Sequence, residues 1–517
     1  MFGDKIHRYL YIFFLSGIAF SLPLSEFFTS AFTIALVSNW LLTVDSWRRL
    51  RKFFSNRPLL VFMSIYFLYV VFLINTDDLT AGILVLKLKL PLLAIPLVIG
   101  NTRVLSSNEL RVVLSSFVLG VFIASITGTF DYFILSEGIS DRRNISLFIS
   151  HIRLSLMVCF SFFISSYYTV IHDNTDFRFK YAYALFALWF AAFLLILLSL
   201  TGIIIFIVLV FFSSYRIITF YVNRAYSGIS IIVTVAIFLM VLGYLGYVTI
   251  DFYSVKENYL PDYEKVTAGG RKYTHDTDKK FLENGYYVWR YICEEELRSE
   301  WNRRSTLNYD GSDLRGQEIR HTIIRYMTSL GIPKDSVGIW KLSGEDINSI
   351  ESGHANCRYR DGVSLSDRVY DLVWQLDHYF KGGNPQGNSV TQRLEFFITG
   401  WNVFKKYPFF GTGTGDLVGD YMLQYQDDGS KLDSKHRRIS HNQYLTVLVR
   451  FGITGFIVYI FALFYPVYKI KTGNNFLAPV FFIIIFLSML NEDTLESITG
   501  IVFFSLFYSL FVFPGEK

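Results

Sequence analysis

Apolar residues in this chain come in runs of about 20, apolar on every face and separated by short polar breaks, the length that carries an α-helix across a bilayer core. The runs fall at residues 9–24, 26–44, 58–74, 81–99, 111–135, 151–171, 181–199, 201–215, 228–250, 442–465, 476–490 and 496–513. The pattern predicts an all-α polytopic membrane protein with about 12 transmembrane helices. One long interruption, 251–440, is polar and carries one-sided apolar stripes of helical period, which predicts a large, mainly helical insertion ahead of the third-last helix. The chain then divides into about nine helices over 1–250, a cap over 251–392, a segment over 393–441 that holds the candidate chemistry, and about three helices over 442–517.

Lysine and arginine set the orientation, because short cytoplasmic loops are enriched in them. With the N-terminus inside, the inner loops carry Arg48, Arg49, Arg51, Lys52 and Arg57, then Arg103 and Arg111, Arg178 and Lys180, Arg216 and Arg224, and Lys469 and Lys471. Of the outer loops, only 136–150 and the long insertion carry cations, and long translocated loops are exempt from the rule. Both termini are expected in the cytoplasm and the insertion outside. Lys5 and Arg8 precede the first apolar run, but no small-residue cleavage site follows, so this run reads as an uncleaved first helix.

Composition sharpens the picture. With 52% hydrophobic residues over 517, the chain is too apolar for a soluble domain, and its net charge of +5 is spread over helix ends, so no nucleic-acid partner is expected. There is no H-E-x-x-H and no clustered Cys/His set, hence no expected metal and no expected cofactor. Cys159 lies in an apolar run, whereas Cys293 and Cys357 share the insertion, where they are either a disulfide or two unpaired thiols.

Within the insertion, apolar stripes over 281–301, 319–330 and 367–381 predict amphipathic helices, the last ended by Gly382, Gly383 and Pro385. Tyr286, Tyr287, Trp289, Tyr291, Trp301, Trp340 and Trp374 are either core rings or platforms for sugar.

The candidate chemistry gathers at the end of the insertion. Ser440 and Gln443 have capping-box spacing, which predicts a helix starting at Ser440 with His441 in its first turn. There the helix dipole favours neutral imidazole, a proton acceptor; otherwise His441 completes the cap at an interface. Arg393 opens the segment that returns to the membrane, and its guanidinium suits a diphosphate leaving group or a salt bridge with Glu395. Gly411, Gly413 and Gly415 either aim amides at phosphate or form a tight turn. Lys87 and Lys89 sit within an apolar run, where a cation is costly, so they either reach a lipid diphosphate near the outer surface or snorkel. Arg153 admits the same two readings, and Arg450, deeper in the next helix, has no partner evident from the sequence. Glu492, Asp493 and Glu496 orient His441, pair with Arg153, bind acceptor hydroxyls or cap the last helix.

Arg393, the run W-x-x-F-x-x-x-P-F-F-G-T-G-T-G from Trp401 to Gly415, and S-H-N-Q-Y-L-T-V-L-V-R-F-G-I-T-G-F from Ser440 to Phe456 together resemble the signature of the O-antigen ligase superfamily of lipid-linked glycan transferases and polymerases. The stretches 283–305 and 319–343 look like the enlarged loop of one branch. The resemblance implies metal-independent, inverting transfer of a glycan from undecaprenyl diphosphate to lipid A core or another glycan acceptor, at the periplasmic face of a bacterial inner membrane. It assigns His441 and Arg393 to catalysis, and Arg153 with Lys87 or Lys89 to the diphosphate. One departure stands out: where many members carry Ser-Arg, this chain reads Leu200-Thr201-Gly202, so that contact must come from elsewhere, such as Arg142, Arg143 or Arg153. A second acceptor choice gives an O-antigen or exopolysaccharide polymerase. A polysaccharide flippase is the alternative from another class, although the chain lacks the internal repeat and midplane charges such proteins show.

Overall fold

The computed structural model describes residues 2–43, 56–135, 142–172, 177–221, 224–256, 266–360, 364–469 and 475–513. Arg48, Arg49, Arg51, Lys52 and Lys471 lie outside the described residues, as do the side chains of Arg142 and Arg143. Every apolar run of the sequence falls on helix. In chain order these are α1 (Phe2–Ser21), α2 (Glu26–Leu41), α3 (Arg57–Val71), α4 (Leu79–Lys89), α5 (Pro91–Gly100), α6 (Ser107–Phe130), α7 (His151–Ser166), α8 (Phe177–Leu197), α9 (Leu200–Tyr221) and α10 (Arg224–Tyr253). After the insertion come α18 (Gln443–Lys469), α19 (Leu477–Ser488) and α20 (Ile498–Val512). Among the described residues, five helical stretches are long and apolar enough to cross a membrane, Leu79–Gly100, Ser107–Leu135, His151–Ile171, Phe177–Leu197 and Gln443–Lys469, and the remaining apolar helices are shorter.

The ends of these helices follow local chemistry. Ser106 accepts from the Glu109 amide while Glu109 reaches back to the Ser106 amide, a reciprocal cap that starts α6. Asn56, Asp78 and Ser497 cap α3, α4 and α20 with side-chain oxygens. The hydrogen-bond ladder is interrupted between α4 and α5 because Pro91 brings no amide hydrogen, while Leu90 keeps helical backbone angles.

Contacts divide the chain into two compact units. The first comprises Met1–Arg224, Glu395–Ser430 and Arg437–Lys517. Its core is continuous and aromatic: Phe117, Phe160, Phe481, Phe503 and Phe507 pack ring on ring between α6, α7, α19 and α20.

The second unit, Ala225–Leu394 with Lys431–His436, contains most of the insertion and nearly all of α10. It holds α11 (Glu294–Arg304), α12 (Ile319–Ser329), α13 (Ser336–Lys341), α14 (Gly344–Glu351), α15 (Leu365–Phe380) and the start of α16 (Ser389–Lys406). The expected stripes over 319–330 and 367–381 are α12 and α15. The stripe over 281–301 is helical only from Glu294: residues 282–287 form a two-stranded hairpin, Leu282 opposite Tyr287 and Glu283 opposite Tyr286. Asn284-Gly285 makes its turn with φ of 50° and 88°, the pair that suits a tight hairpin. Trp301 is fully buried with its indole bonded to the Leu307 carbonyl, and Tyr291 is buried too, so neither is a sugar platform; Trp340 is 60% exposed. Cys293 and Cys357 are both free thiols.

Candidate functional site

The first turn of α18 is capped by Asn442, whose Oδ1 accepts from the Leu445 amide at 3.0 Å. The helix therefore starts two residues later than the Ser440 capping box predicted, and His441 lies outside it. Ser440 turns its hydroxyl to Thr446 Oγ1 at 2.8 Å and accepts from the Asn442 amide at 3.2 Å. His441 takes a left-handed backbone, φ 48°, a costly state for a side-chain-bearing residue and one often kept at functional positions.

Glu492, buried in the loop between α19 and α20, sits beside this histidine. Its Oε2 is 3.6 Å from His441 Nδ1, and its Oε1 is 3.9 Å from a guanidinium nitrogen of Arg153 at the start of α7. His441 also rests on Phe396 of α16, ring centroids 5.5 Å apart. The order imidazole, carboxylate, guanidinium is thus built from three separate elements of one unit. Arg153 Nε has no hydrogen-bond partner among the described residues.

Behind it lies a second polar layer. Glu496 takes a bidentate contact from Arg450 of α18 at 2.9 and 3.1 Å and another from Lys89 of α4 at 2.8 Å. Lys89 also donates to the Leu495 carbonyl and lies over the Tyr69 ring. Gln443 clips the same loop, accepting from the Leu495 amide at 2.7 Å. Burial alone would push the Glu496 carboxyl up, but Arg450 and Lys89 outweigh it and hold the group at about 2.

Lys89 is 0% exposed and paired with Glu496, so it ties α4 to the 491–496 loop; an apolar surround leaves a cation no better option than a close carboxylate. Arg450 gains the partner the sequence did not name. Lys87, two residues from Lys89, points elsewhere and is exposed. Thr201 accepts from Asn491 at 2.6 Å and steadies the same loop. Arg393 is half-buried in the second turn of α16 and belongs to the second unit.

Asp493 is 5% exposed and accepts from Thr446 at 2.6 Å. Burial pushes its carboxyl up to about 6 from 3.8, partly offset by that hydrogen bond. The folded chain then keeps a proton on Asp493 that the unfolded chain has released, so between pH 3.8 and about 6 stability falls as pH rises. Asp493→Asn should flatten that part of a stability-against-pH curve; an unchanged slope would place the titration elsewhere.

The glycine-rich turn is not a phosphate cradle. Gly452 breaks α18 with φ 61° and ψ −172°, freeing carbonyls and amides on either side. The turn docks there: Thr412 and Gly413 amides donate to the Val449 and Arg450 carbonyls at 3.0 Å each, and Ile453 donates to Pro408 at 2.9 Å. Thr414 donates to Phe72 and Thr76, so these backbone amides are spent within the protein. A Cβ at Gly452 would lie 2.3 Å from Phe409 backbone, in a conformation almost restricted to glycine. Gly452→Ala should therefore cost at least about 2 kcal/mol in thermal or denaturant unfolding; a loss below about 0.5 kcal/mol would contradict this.

Residues 340–460 match the family model described as O-antigen ligase. This stretch of the chain is similar to the O-antigen ligase family. No curated protein matches the chain. The O-antigen ligase match contains Arg393, the glycine turn, His441 and Arg450, whereas Lys89, Arg153 and Glu492 lie outside it. Members of the superfamily are glycosyltransferase-like ligases and polymerases with lipid-linked glycan and acceptor substrates, and the run of apolar helices fits a multi-pass membrane protein.

Sequence reasoning missed Glu492 as the specific neighbour of His441. The signal was present, three acids in six residues before an apolar run, but spacing could not sort them. Their environments do: Glu492 faces imidazole, Asp493 a hydroxyl, and Glu496 two cations.

Proposed function

We propose that this protein transfers a glycan from undecaprenyl diphosphate to an acceptor hydroxyl at the periplasmic face of the inner membrane, with O-antigen ligation to lipid A core as the favoured reaction. What supports the reading is the alignment of His441, Glu492 and Arg153 in a chain whose 340–460 segment is similar to the O-antigen ligase family.

With Nδ1 turned toward Glu492, Nε2 of His441 is the nitrogen left for the acceptor. It takes the hydroxyl proton as the oxygen attacks the anomeric carbon, and the Glu492 carboxylate stabilises the imidazolium that results. The bond from that carbon to the diphosphate oxygen breaks, and its electron pair leaves with the diphosphate. Arg153 meets the growing negative charge, with Lys87 as a further cation; the superfamily resemblance gives Arg393 a catalytic role as well. Attack in a single displacement inverts the anomeric centre, and the scheme needs neither metal nor cofactor.

Arg393→Ala should lower transfer about 10²–10³-fold, and Arg393→Lys should recover only part, because an ammonium cannot grip two oxygens as a planar fork does. Transfer assays on membranes holding equal amounts of each variant test this, and near-normal rates in Arg393→Ala would remove Arg393 from the scheme. Deleting the gene separates ligase from polymerase. Long polymer stranded on the carrier marks a ligase, and surface lipopolysaccharide bearing a single repeat marks a polymerase.

A further inference from the structure

A cleft of about 470 Å³ opens in the first unit, and His441, Glu492, Arg153 and Lys87 are not among its lining residues. Its walls are the loop after α3, from Ile74 to Asp77, the turn from Tyr407 to Thr412, and Asp416 and Asp420 at the start of α17 (Leu417–Asp427). This volume falls within the range of small-ligand pockets.

The chemistry of its lining is specific. Asp416 is occupied, its two oxygens accepting from the Asp77 and Asp78 amides at 2.8 Å each. The carboxylates of Asp77 and Asp420 make no hydrogen bond or ion pair among the described residues. Thr412 is 6% exposed, and its hydroxyl has no hydrogen-bond partner among them either. Such a group is costly unless something else completes it. Tyr407, Phe409 and Phe410 stand exposed along one wall.

Carboxylates repel phosphate, so the cleft does not suit the diphosphate. A metal ion is disfavoured as well, since no three of the described His, Cys, Asp and Glu side chains come together closely enough to hold one. A sugar fits: its hydroxyls donate to carboxylates and the threonine, and its C–H faces lie on aromatic rings.

We infer that this cleft is a saccharide subsite that takes neutral or amine-bearing sugar residues of the acceptor glycan and excludes anionic ones. Its assignment to the acceptor rests on the glycan-transfer reading; its capacity to bind sugar does not. The division of labour is electrostatic, with cations at the diphosphate and carboxylates at the acceptor.

Saturation-transfer NMR on the full chain in lipid nanodiscs, with β-1,4-linked glucosamine disaccharide and digalacturonate as probes, tests the binding. The glucosamine probe should bind and digalacturonate should not. Asp77→Asn with Asp420→Asn should weaken binding at least about tenfold, as loss of hydrogen bonds to charged groups does. Thr412→Val, nearly the same shape, should weaken it about threefold or more and guards against a folding artefact in the double variant. Equal binding of digalacturonate, unchanged binding in both variants, or displacement of the sugar by calcium chloride would overturn the proposal. In transfer assays the double variant should raise the acceptor KM about tenfold with kcat within about twofold. Normal transfer with an unchanged acceptor KM would sink the cleft and leave the function standing. A wild type that binds the disaccharide but transfers nothing would sink the function and leave the cleft.

Discussion

Replacing His441 with alanine is expected to lower glycan transfer by about 10²–10⁴-fold while the protein still inserts and folds, the range carried by a positioned general base. The left-handed backbone at 441 and the capping of α18 by Asn442 do not depend on the imidazole, so alanine leaves the helix start in place. Glu492→Gln should cost less, about 10-fold to 10²-fold, because an amide still fills the position but stabilises imidazolium poorly. The loss should appear in kcat more than in KM, since the carboxylate acts on a charge formed during reaction. Initial rates at several acceptor concentrations, on variants matched for abundance, check both. Alanine at 441 with wild-type rates would exclude the histidine from the chemistry.

Glu496→Gln should be among the most destabilising single changes in the first unit, costing about 3–5 kcal/mol, because it leaves Lys89 and Arg450 buried without their shared carboxylate. Adding Lys89→Met should recover about half of that loss, since one uncompensated cation is then gone and a side chain of similar length fills its place. Thermal unfolding in detergent, with the single and double variants side by side, measures the coupling. Additive losses would mean that the ammonium and carboxylate act independently, against the geometry seen here. Transfer should fall in the single variant through the same loop, because the backbone that carries Glu496 also carries Glu492.

Much of the fold was legible because membrane-scale apolar runs leave few choices: a lipid-exposed backbone must satisfy its own hydrogen bonds, and every run became helix. The break in α18 was not legible. V-R-F-G-I-T-G-F reads as uninterrupted apolar helix, and Gly452 alone does not announce that a distant turn will supply the missing partners. The hairpin at 282–287 was signalled by Asn284-Gly285 but hidden by aromatic residues that also fit a helical stripe. At the site, the two lysines looked equivalent, since sequence spacing says only that they point in different directions. What separated them was Glu496, about 400 residues away in the chain, which commits Lys89 to the interior. The capping box at Ser440 misled for a related reason: Asn442 is an equally good cap, and the bond between Ser440 and Thr446 decides between them.

The central claim is that carrier and glycan are parted at His441, and reconstituted vesicles holding the purified chain and an undecaprenyl-diphosphate-linked glycan test it most directly. With acceptor and a chelator present, the account predicts undecaprenyl diphosphate released in equal amount to glycan transferred, with the anomeric configuration inverted, and neither product from His441→Ala. Glycan that crosses the bilayer still joined to its carrier, or transfer that continues without the imidazole, would contradict it.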